Sequence, residues 1–254
     1  AKPFTPDEIK DVVRNAVKAR SSAETKMIDL LAIVSHELKS PLATVQTTAE
    51  TLYRGYFGKL EPGQQKIIET ILRNCAYLED VIRSYIDLSK MEIDELSSFK
   101  KEMRVGAGAV AEIVAIPEIK DNLRKMPVVA NIVDDPPVLG DPHLLKIVVR
   151  NLLNNAIKYG REGTEVDLTL ARKGNDVVLT VRNEGVGISP EDIQNRLFRK
   201  FERLKQKGTE GIKGSGLGLY ICRKIVEKHN GRIWAEGEPG SWIAFHVALP
   251  VAGA

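Results

Sequence analysis

A change of period near Ser97-Ser98 is the strongest constraint on how this 254-residue chain can fold. Before it, apolar and small residues recur at steps of three and four: Ile9, Val13, Ala16, Ala23, Met27, Leu30, Val34, Leu38, Leu42, Val45, Ala49 and Leu52, with Arg20 as the interruption. That spacing makes one helical stripe, and a stripe sustained over so many turns is a coiled-coil seam feeding into a bundle. Thr5-Pro6-Asp7-Glu8 suits the start of such a helix. It supplies a hydroxyl cap, a proline whose missing N–H is harmless at the first position, and acids at the positive end of the helix dipole. The run 54–60 breaks the period with Gly55 and Gly58, and Pro62-Gly63 opens a second stripe of Ile68, Ile71, Cys75, Leu78, Ile82 and Tyr85. Residues 1–96 therefore predict a helical hairpin, with a coiled-coil lead-in over 5–34. One hairpin cannot cover both of its apolar stripes, so two copies are expected to associate as a four-helix bundle. An antiparallel pair packed on the rest of its own chain is the competing arrangement.

Beyond residue 97 short alternating segments take over. Residues 127–133 and 138–139 read as strands, and 141–159 as a helix with Pro142 just inside its start and Gly160 just past its end. Residues 164–172 and 176–182 predict a hairpin turning at Lys173-Gly174-Asn175, 215–228 a further helix, and 232–236 and 242–249 the closing strands. Helices and a mixed sheet in this order predict a two-layer α/β sandwich over 97–254, so the fold class is α+β. The charged stretch 188–213, rich in Lys, Arg and Gly, reads as a mobile lid.

Bulk properties narrow the function. Apolar residues make up 43% and charged residues 28%, an ordinary globular balance. A net charge of +3, evenly spread, does not argue for a nucleic-acid partner. Cys75 and Cys222 lie in helical patterns without metal-like spacing and read as buried thiols of a reducing compartment. No stretch approaches the ~18 apolar residues of a membrane span, and none resembles a signal peptide. A chain opening on Ala1-Lys2-Pro3-Phe4 is expected to be a cytoplasmic piece of a longer protein, with an upstream sensor absent and a membrane anchor in the full length left open.

Two groups of residues carry chemistry. The first is Ser35-His36-Glu37-Leu38-Lys39-Ser40-Pro41-Leu42. Neutral imidazole is a competent nucleophile near pH 7, because its pKa of about 6.5 leaves a lone pair free. Val34 and Leu38 belong to the seam, which turns His36 away from it, and Glu37 is placed to orient the ring. Pro41 removes a helix hydrogen bond and is expected to bend the helix one turn later.

The second group begins with Asn151-Leu152-Leu153-Asn154-Asn155-Ala156-Ile157-Lys158-Tyr159. Asn151 and Asn155 are four apart and share a helix side, as do Asn154 and Lys158. Asparagine is a poor helix former, so three of them in five residues of an apolar helix need another justification. Asn183-Glu184-Gly185-Val186-Gly187 ends a strand in a glycine turn, and Gly214-Ser215-Gly216-Leu217-Gly218-Leu219 leads into a helix. Glycines let backbone approach phosphate, and a helix N-terminus offers free N–H groups and a positive dipole end. The pattern is neither a Walker loop, lacking Gly-Lys-Ser/Thr, nor a dinucleotide fingerprint.

The order and combination of these segments resemble the sensor histidine kinases of two-component signalling over nearly the whole chain. The resemblance implies ATP and Mg²⁺ as cofactors and His36 as the autophosphorylated residue, with Glu37 as orienting base. It implies a homodimer and a response-regulator receiver domain whose aspartate takes the phosphoryl group. Ser40 stands where the family usually has Thr or Asn, which positions water for dephosphorylating the regulator, so phosphatase activity is part of the expectation. By the same resemblance Asn155 reaches Mg²⁺ with Asn151 in support, Lys158 neutralises phosphate, and Tyr159 packs on adenine. Asn183 replaces the usual Asp that accepts from the adenine amino group, and its carbonyl oxygen can still accept, without charge. Gly185, Gly187, Gly214, Gly216, Leu217 and Gly218 form the nucleotide turns, Phe198 and Phe201 anchor the lid, and Arg203 aids the γ-phosphate. Gly140-Asp141-Pro142 also matches the family but reads as a helix start. DNA gyrase, MutL-type and mitochondrial kinase relatives share such an ATP site, but the octet around His36 argues against them. The alternative is an ATP-binding dimeric interaction module with weak or no kinase activity.

Overall fold

The computed structural model describes residues 37–93, 100–120, 124–204, 209, 212 and 214–253. The lead-in 5–34 and His36 lie outside the described residues. The chain divides into two compact units, Ala1–Ser97 and Ser98–Ala254.

In the first unit, helix α1 covers 37–53 and helix α2 covers Pro62–Ile93. They are joined by the glycine-containing turn that breaks the helical period. Near that turn the Tyr53 hydroxyl donates to the Glu69 carboxylate at 3.1 Å and accepts from the Gln65 amide at 3.3 Å, tying the end of α1 to the start of α2. Ala49, Ile68 and Cys75 are buried. Leu38 and Val45 on α1 and Ile71 and Leu78 on α2 stay 48%, 49%, 38% and 47% exposed, so these four positions of the expected seam are uncovered. Each pair is two helical turns apart and so lies on one helix face.

The second unit is a layered α/β domain. A five-stranded sheet runs in the order β2 (Val128–Ile132), β4 (Val166–Lys173), β5 (Asp176–Glu184), β7 (Trp242–Pro250), β6 (Arg232–Glu238). The β2–β4 pair is parallel and the others are antiparallel. A separate ribbon pairs β1 (Lys101–Met103) with β3 (Val138–Gly140). Val166, Leu168 and Leu170 of β4, Val177, Leu179 and Val181 of β5, and Ile243, Phe245, Val247 and Leu249 of β7 are buried at alternate positions. That period of two puts them on one sheet face. Helices α5 (Pro142–Tyr159) and α7 (Gly218–Lys228) build the helical layer.

The ends of α5 are held firmly. Asp141 caps its start, the carboxylate accepting from the His143 and Leu144 N–H groups at 2.8 and 3.3 Å. Pro142 fills the first position, where no N–H is needed. At the other end the Arg124 guanidinium donates to the carbonyls of Lys158 and Gly160, which have no partners within the helix. His229, just past α7, is buried. Its Nδ1–H donates to the Ile225 carbonyl at 2.7 Å, and its Nε2 accepts the Asp141 N–H at 2.9 Å. One neutral imidazole therefore fastens the C-terminus of α7 to the N-terminus of α5.

Several elements differ from the sequence expectation. A π-helical turn, Gly106–Val110, runs into the short helix α3 (Ala111–Val114), followed by α4 (Pro117–Lys120). The run Gly106-Ala107-Gly108-Ala109 carries no apolar stripe and so no helical period in the sequence. Within the stretch 188–213, helix α6 (Pro190–Asn195) starts on a Ser189 hydroxyl that accepts the Asp192 N–H at 3.1 Å. Helix α7 begins at Gly218 rather than at 215, because the backbone before it pairs elsewhere, the Gly216 carbonyl accepting the Phe201 N–H at 3.0 Å.

Burial lowers the pKa of His229, against the bond to Ile225; Lys100 and Lys228 act with burial, and Asp141 against it. A histidine kept neutral in the fold contributes stability that is full above its ordinary pKa of about 6.5 and is lost as pH falls, since the unfolded chain binds the proton first. Urea denaturation should therefore show stability declining from about pH 7.5 to about pH 5. His229→Asn should flatten part of that slope. A further part belongs to His246, also lowered by burial, which stacks on Trp234 at 4.9 Å and hydrogen-bonds Thr180 at 2.9 Å.

Candidate functional site

Helix α5 turns its buried side chains toward the sheet and α7, and leaves Asn151, Asn154, Asn155, Lys158 and Tyr159 half-buried. The Asn151 amide donates to the Gly218 carbonyl at 3.5 Å, in the first turn of α7. The Asn151 side chain thus spans the gap to the glycine-rich segment. Asn155 follows one turn later on the same side. The Lys158 ammonium lies 5.9 Å from the Tyr159 ring centroid.

Asn183 sits near the end of β5, in register with Val166 and Ile243. By parity it shares the helix-facing side with Val181 and Leu179, and it is 1% exposed. Its Nδ2 donates to the Glu184 carbonyl at 3.0 Å, while its Oδ1 is buried with no hydrogen-bond partner. A buried acceptor left unpaired costs about 1–3 kcal/mol, so this oxygen calls for a donor. The same Glu184 carbonyl accepts the Arg161 N–H at 2.7 Å, and the Arg161 and Glu184 side chains form an ion pair at 3.1 Å.

The glycine turn after β5 is clamped on two sides. Gly185 bridges to Gly160, and its N–H donates to the Ser241 carbonyl at 3.0 Å; Val186 N–H reaches the Tyr159 carbonyl at 3.4 Å. A Cβ at Gly185 would overlap the Tyr159 carbonyl. Gly187 has φ +58°, and a Cβ there would overlap the Glu238 carbonyl. Neither position has room for a side chain.

The segment before α7 is tied together internally. Arg196 places Nε and Nη2 on one Glu202 oxygen at 2.8 and 2.5 Å and Nη1 on Asp192 at 3.2 Å. The Glu202 hydrogen bond chiefly raises its pKa. Phe198 is half-buried beside buried Leu197. Phe201 does not anchor by burial as expected: the residue is 55% exposed, its φ is +61°, and its backbone makes the link to Gly216. The Arg203 guanidinium donates to the Ile212 carbonyl at 2.5 Å, within the segment itself. Gly214 and Leu217 are buried, and Ser215 Oγ accepts the Leu217 N–H at 3.3 Å.

The fold thus gathers three sequence-distant groups: the α5 asparagine edge, Asn183 with its glycine turn through Tyr159 and Gly160, and the start of α7 through Asn151. Of the expected catalytic group, Glu37 and Ser40 are exposed on α1 in the other unit, and His36 lies outside the described residues. Neither period nor motif marks Arg124, Arg161 or His229 in the sequence, because their ties to Gly160, Glu184 and Asp141 form only in the folded chain. Helix α6 did carry a signal, since Ser189-Pro190-Glu191-Asp192 repeats the cap, proline and acids of Thr5-Pro6-Asp7-Glu8. Among the described residues no group of three or more His, Cys, Asp or Glu is placed to hold a metal ion.

Residues 140–253 match the family described as histidine kinase-, DNA gyrase B- and HSP90-like ATPase, and residues 26–93 match the His Kinase A (phospho-acceptor) domain. Fold and site define a class: an ATPase-type α/β sandwich preceded by a helical phospho-acceptor hairpin. The chain belongs to the sensor histidine kinases of two-component systems. It is 31% identical over 234 residues to the adaptive-response sensory kinase SasA of Crocosphaera subtropica, covering 87% of this chain and 59% of that protein. It is also 31% identical over 222 residues to the sensor-like histidine kinase SenX3 of Mycobacterium tuberculosis, covering 87% and 53%. The chain therefore spans little more than half the length of these curated relatives. Full-length ShkA, solved in complex with AMPPNP, matches 89% of this chain and 46% of its own at a TM-score of 0.61 and 21% identity, a likeness of fold.

Gly187→Ala should lower the melting temperature and abolish measurable ATP binding, because the added methyl must displace the Glu238 backbone that shapes the turn. The expected loss of stability is about 2 kcal/mol or more. Thermal denaturation with and without ATP reads both effects.

Proposed function

We propose that this chain is an ATP-dependent protein-histidine kinase that autophosphorylates His36 and passes the phosphoryl group to an aspartate of a response-regulator receiver domain. The observation that carries this reading is the buried, unpaired Oδ1 of Asn183 beside the Gly185–Gly187 turn and the asparagine edge of α5. It is an acceptor shaped for the exocyclic amine of adenine. Tyr159 would pack on the base, Lys158 would neutralise phosphate, and the backbone from Gly214 to Gly218 with the α7 N-terminus would cradle the phosphates. Phe198, Phe201 and Arg203 belong to the segment that would close over the nucleotide.

The donors present suit Mg²⁺ brought in with ATP rather than a resident ion. Asn155 offers a hard amide oxygen with Asn151 in support, and no acidic cluster stands ready among the described residues. Bound there, Mg²⁺ would neutralise charge on the phosphates. Asn155 orients its oxygen from a helix whose ends are fixed, so positioning is the protein's main contribution. An imidazole nitrogen of His36 then attacks the γ-phosphorus in line. The N–P bond forms as the bond to the ADP oxygen breaks, with Glu37 orienting the ring. Ser40, exposed one turn on, is the residue for water-mediated return of the regulator to its unphosphorylated form.

Leu38, Val45, Ile71 and Leu78 support homodimerisation, since a second hairpin would cover them and complete a four-helix bundle. No described helix is long and apolar enough to cross a membrane. The chain would work in the cytoplasm, the compartment that supplies ATP.

Incubation with ATP radiolabelled at the γ-phosphate, in Mg²⁺, should label the wild type and leave His36→Ala unlabelled. The label should survive alkali and be lost in acid, as phosphohistidine is. Absence of label with ATP binding intact would leave the dimeric ATP-liganded module instead.

A further inference from the structure

We infer that the open edge of β2 is a docking surface for the same edge of a second copy of this chain, paired antiparallel about Ala130. The contact is separate from the hairpin pairing proposed above and does not depend on it.

Strand β2 ends the five-stranded sheet, and among the described residues only β4 pairs with it. The ladder to β4 fixes which backbone groups face the other way. The Pro127 carbonyl accepts the Val166 N–H at 2.9 Å, and the Val133 N–H donates to the Leu170 carbonyl at 2.8 Å. Backbone groups alternate sides along a strand, so Pro127, Val129, Asn131 and Val133 point theirs at β4. Val128, Ala130 and Ile132 therefore hold their N–H and C=O groups outward. Val129, Ala130, Ile132 and Val133 are exposed as well, and from Met126 to Val133 the chain carries no charged side chain. The opposite edge of the sheet, β6, carries Arg232, Glu236 and Glu238, all exposed. Charges of that kind guard an edge against pairing with another chain. Strand β2 has no such guard along its length.

Its charges stand at the two ends instead, and with opposite sign. Lys125 precedes the strand and Asp134-Asp135 follow it, with Lys125 and Asp134 exposed. A parallel mate would set like charges together at each end, which opposes pairing. An antiparallel mate centred on Ala130 brings Lys125 of each copy to the level of Asp135, beside Asp134, of the other. The same register sets Ala130 opposite Ala130 and Val128 opposite Ile132, each with its N–H and C=O groups aimed across the gap. Opposite residues share a sheet face, so Val128 covers Ile132 on both sides of the axis. The small Ala130 side chain lies at the two-fold itself, where an identical residue must be its own neighbour. Pro127 does not interfere, because its missing N–H would have pointed at β4. A slip of one residue would bring inward-pointing groups opposite outward ones and lose the ladder.

The test is analytical ultracentrifugation of the full chain at concentrations up to about 1 mM, where a small interface associates. Wild type is compared with Ala130→Pro, Ala130→Lys and Ala130→Glu, each checked for fold by circular dichroism. Proline removes only the outward N–H, so the bonds to β4 stay. The weight-average mass of the wild type should rise at least about twofold with concentration, while that of Ala130→Pro stays flat. Ala130→Lys and Ala130→Glu each set like charges face to face at the axis and should also stay flat. Mixed in equal amounts they should recover the rise, since lysine then faces glutamate. A wild-type mass that stays constant, or a rise that persists in Ala130→Pro, would overturn the inference. So would a mixture no heavier than its parts at the same concentration. If Ala130→Pro does not fold, the lysine and glutamate variants decide the matter. Hairpin pairing sets only the mass at low concentration, so its failure reads separately from failure of the edge.

Discussion

Helix α5 buries Leu144, Leu145, Ile147, Val148, Val149, Leu152, Leu153 and Ala156, a stripe too wide for one neighbour. It therefore packs on the sheet and on α7 together, and the rest of the second unit is arranged around that demand. Each such Leu, Ile or Val side chain taken from water contributes about 1.5–3 kcal/mol, which leaves the helix no freedom to rotate. The edge that remains is the one bearing the asparagines. Their positions follow from the packing of their apolar neighbours, and the two polar clamps, Asp141 with His229 at one end and Arg124 at the other, fix the helix along its own axis.

The site so positioned is built mainly of neutral donors and acceptors. Asn151, Asn154, Asn155 and Asn183 carry no charge, and two charges beside the glycine turn, Arg161 and Glu184, are paired with each other. An empty pocket lined with buried carboxylates would carry a desolvation cost of several kcal/mol per ion. Amides avoid that cost and can still be left poised, as Asn183 Oδ1 is. On the proposed reading, the charge needed for chemistry would arrive with the substrate and meet the backbone N–H groups at the α7 N-terminus.

The parts of the fold that were legible in the sequence are those where local rules and tertiary packing agree. Helix α5 could be bounded from Asp141-Pro142 and Gly160, and β4, β5 and β7 from alternation, because each buries one face in a regular way. The Gly106–Val110 turn was illegible because its small residues pack by closeness rather than by pattern. The start of α7 shifted because a backbone bond from Phe201 competes with the helix for Gly216. In the site, residue types announced themselves by clustering, as in Asn151-to-Tyr159. The residues that hold them, Arg124, Arg161 and His229, were silent, since each acts on a backbone atom that only the folded chain brings near.

The parallel pairing of β2 with β4 has a bearing on how the domain assembles in time. The β4–β5 and β6–β7 pairs close through short turns, which makes them local contacts and fast to form. The β2–β4 pair needs a crossover that contains β3 and all of α5, and the Asp141–His229 bond joins residues 88 apart. Those contacts, together with the β5–β7 pairing, carry much of the loop-closure entropy of the domain and belong late in folding. Because α5 is part of that late closure, the asparagine edge is completed late. A nucleotide that recognises the finished edge then acts on the unfolding rate, holding shut the step that would otherwise open first.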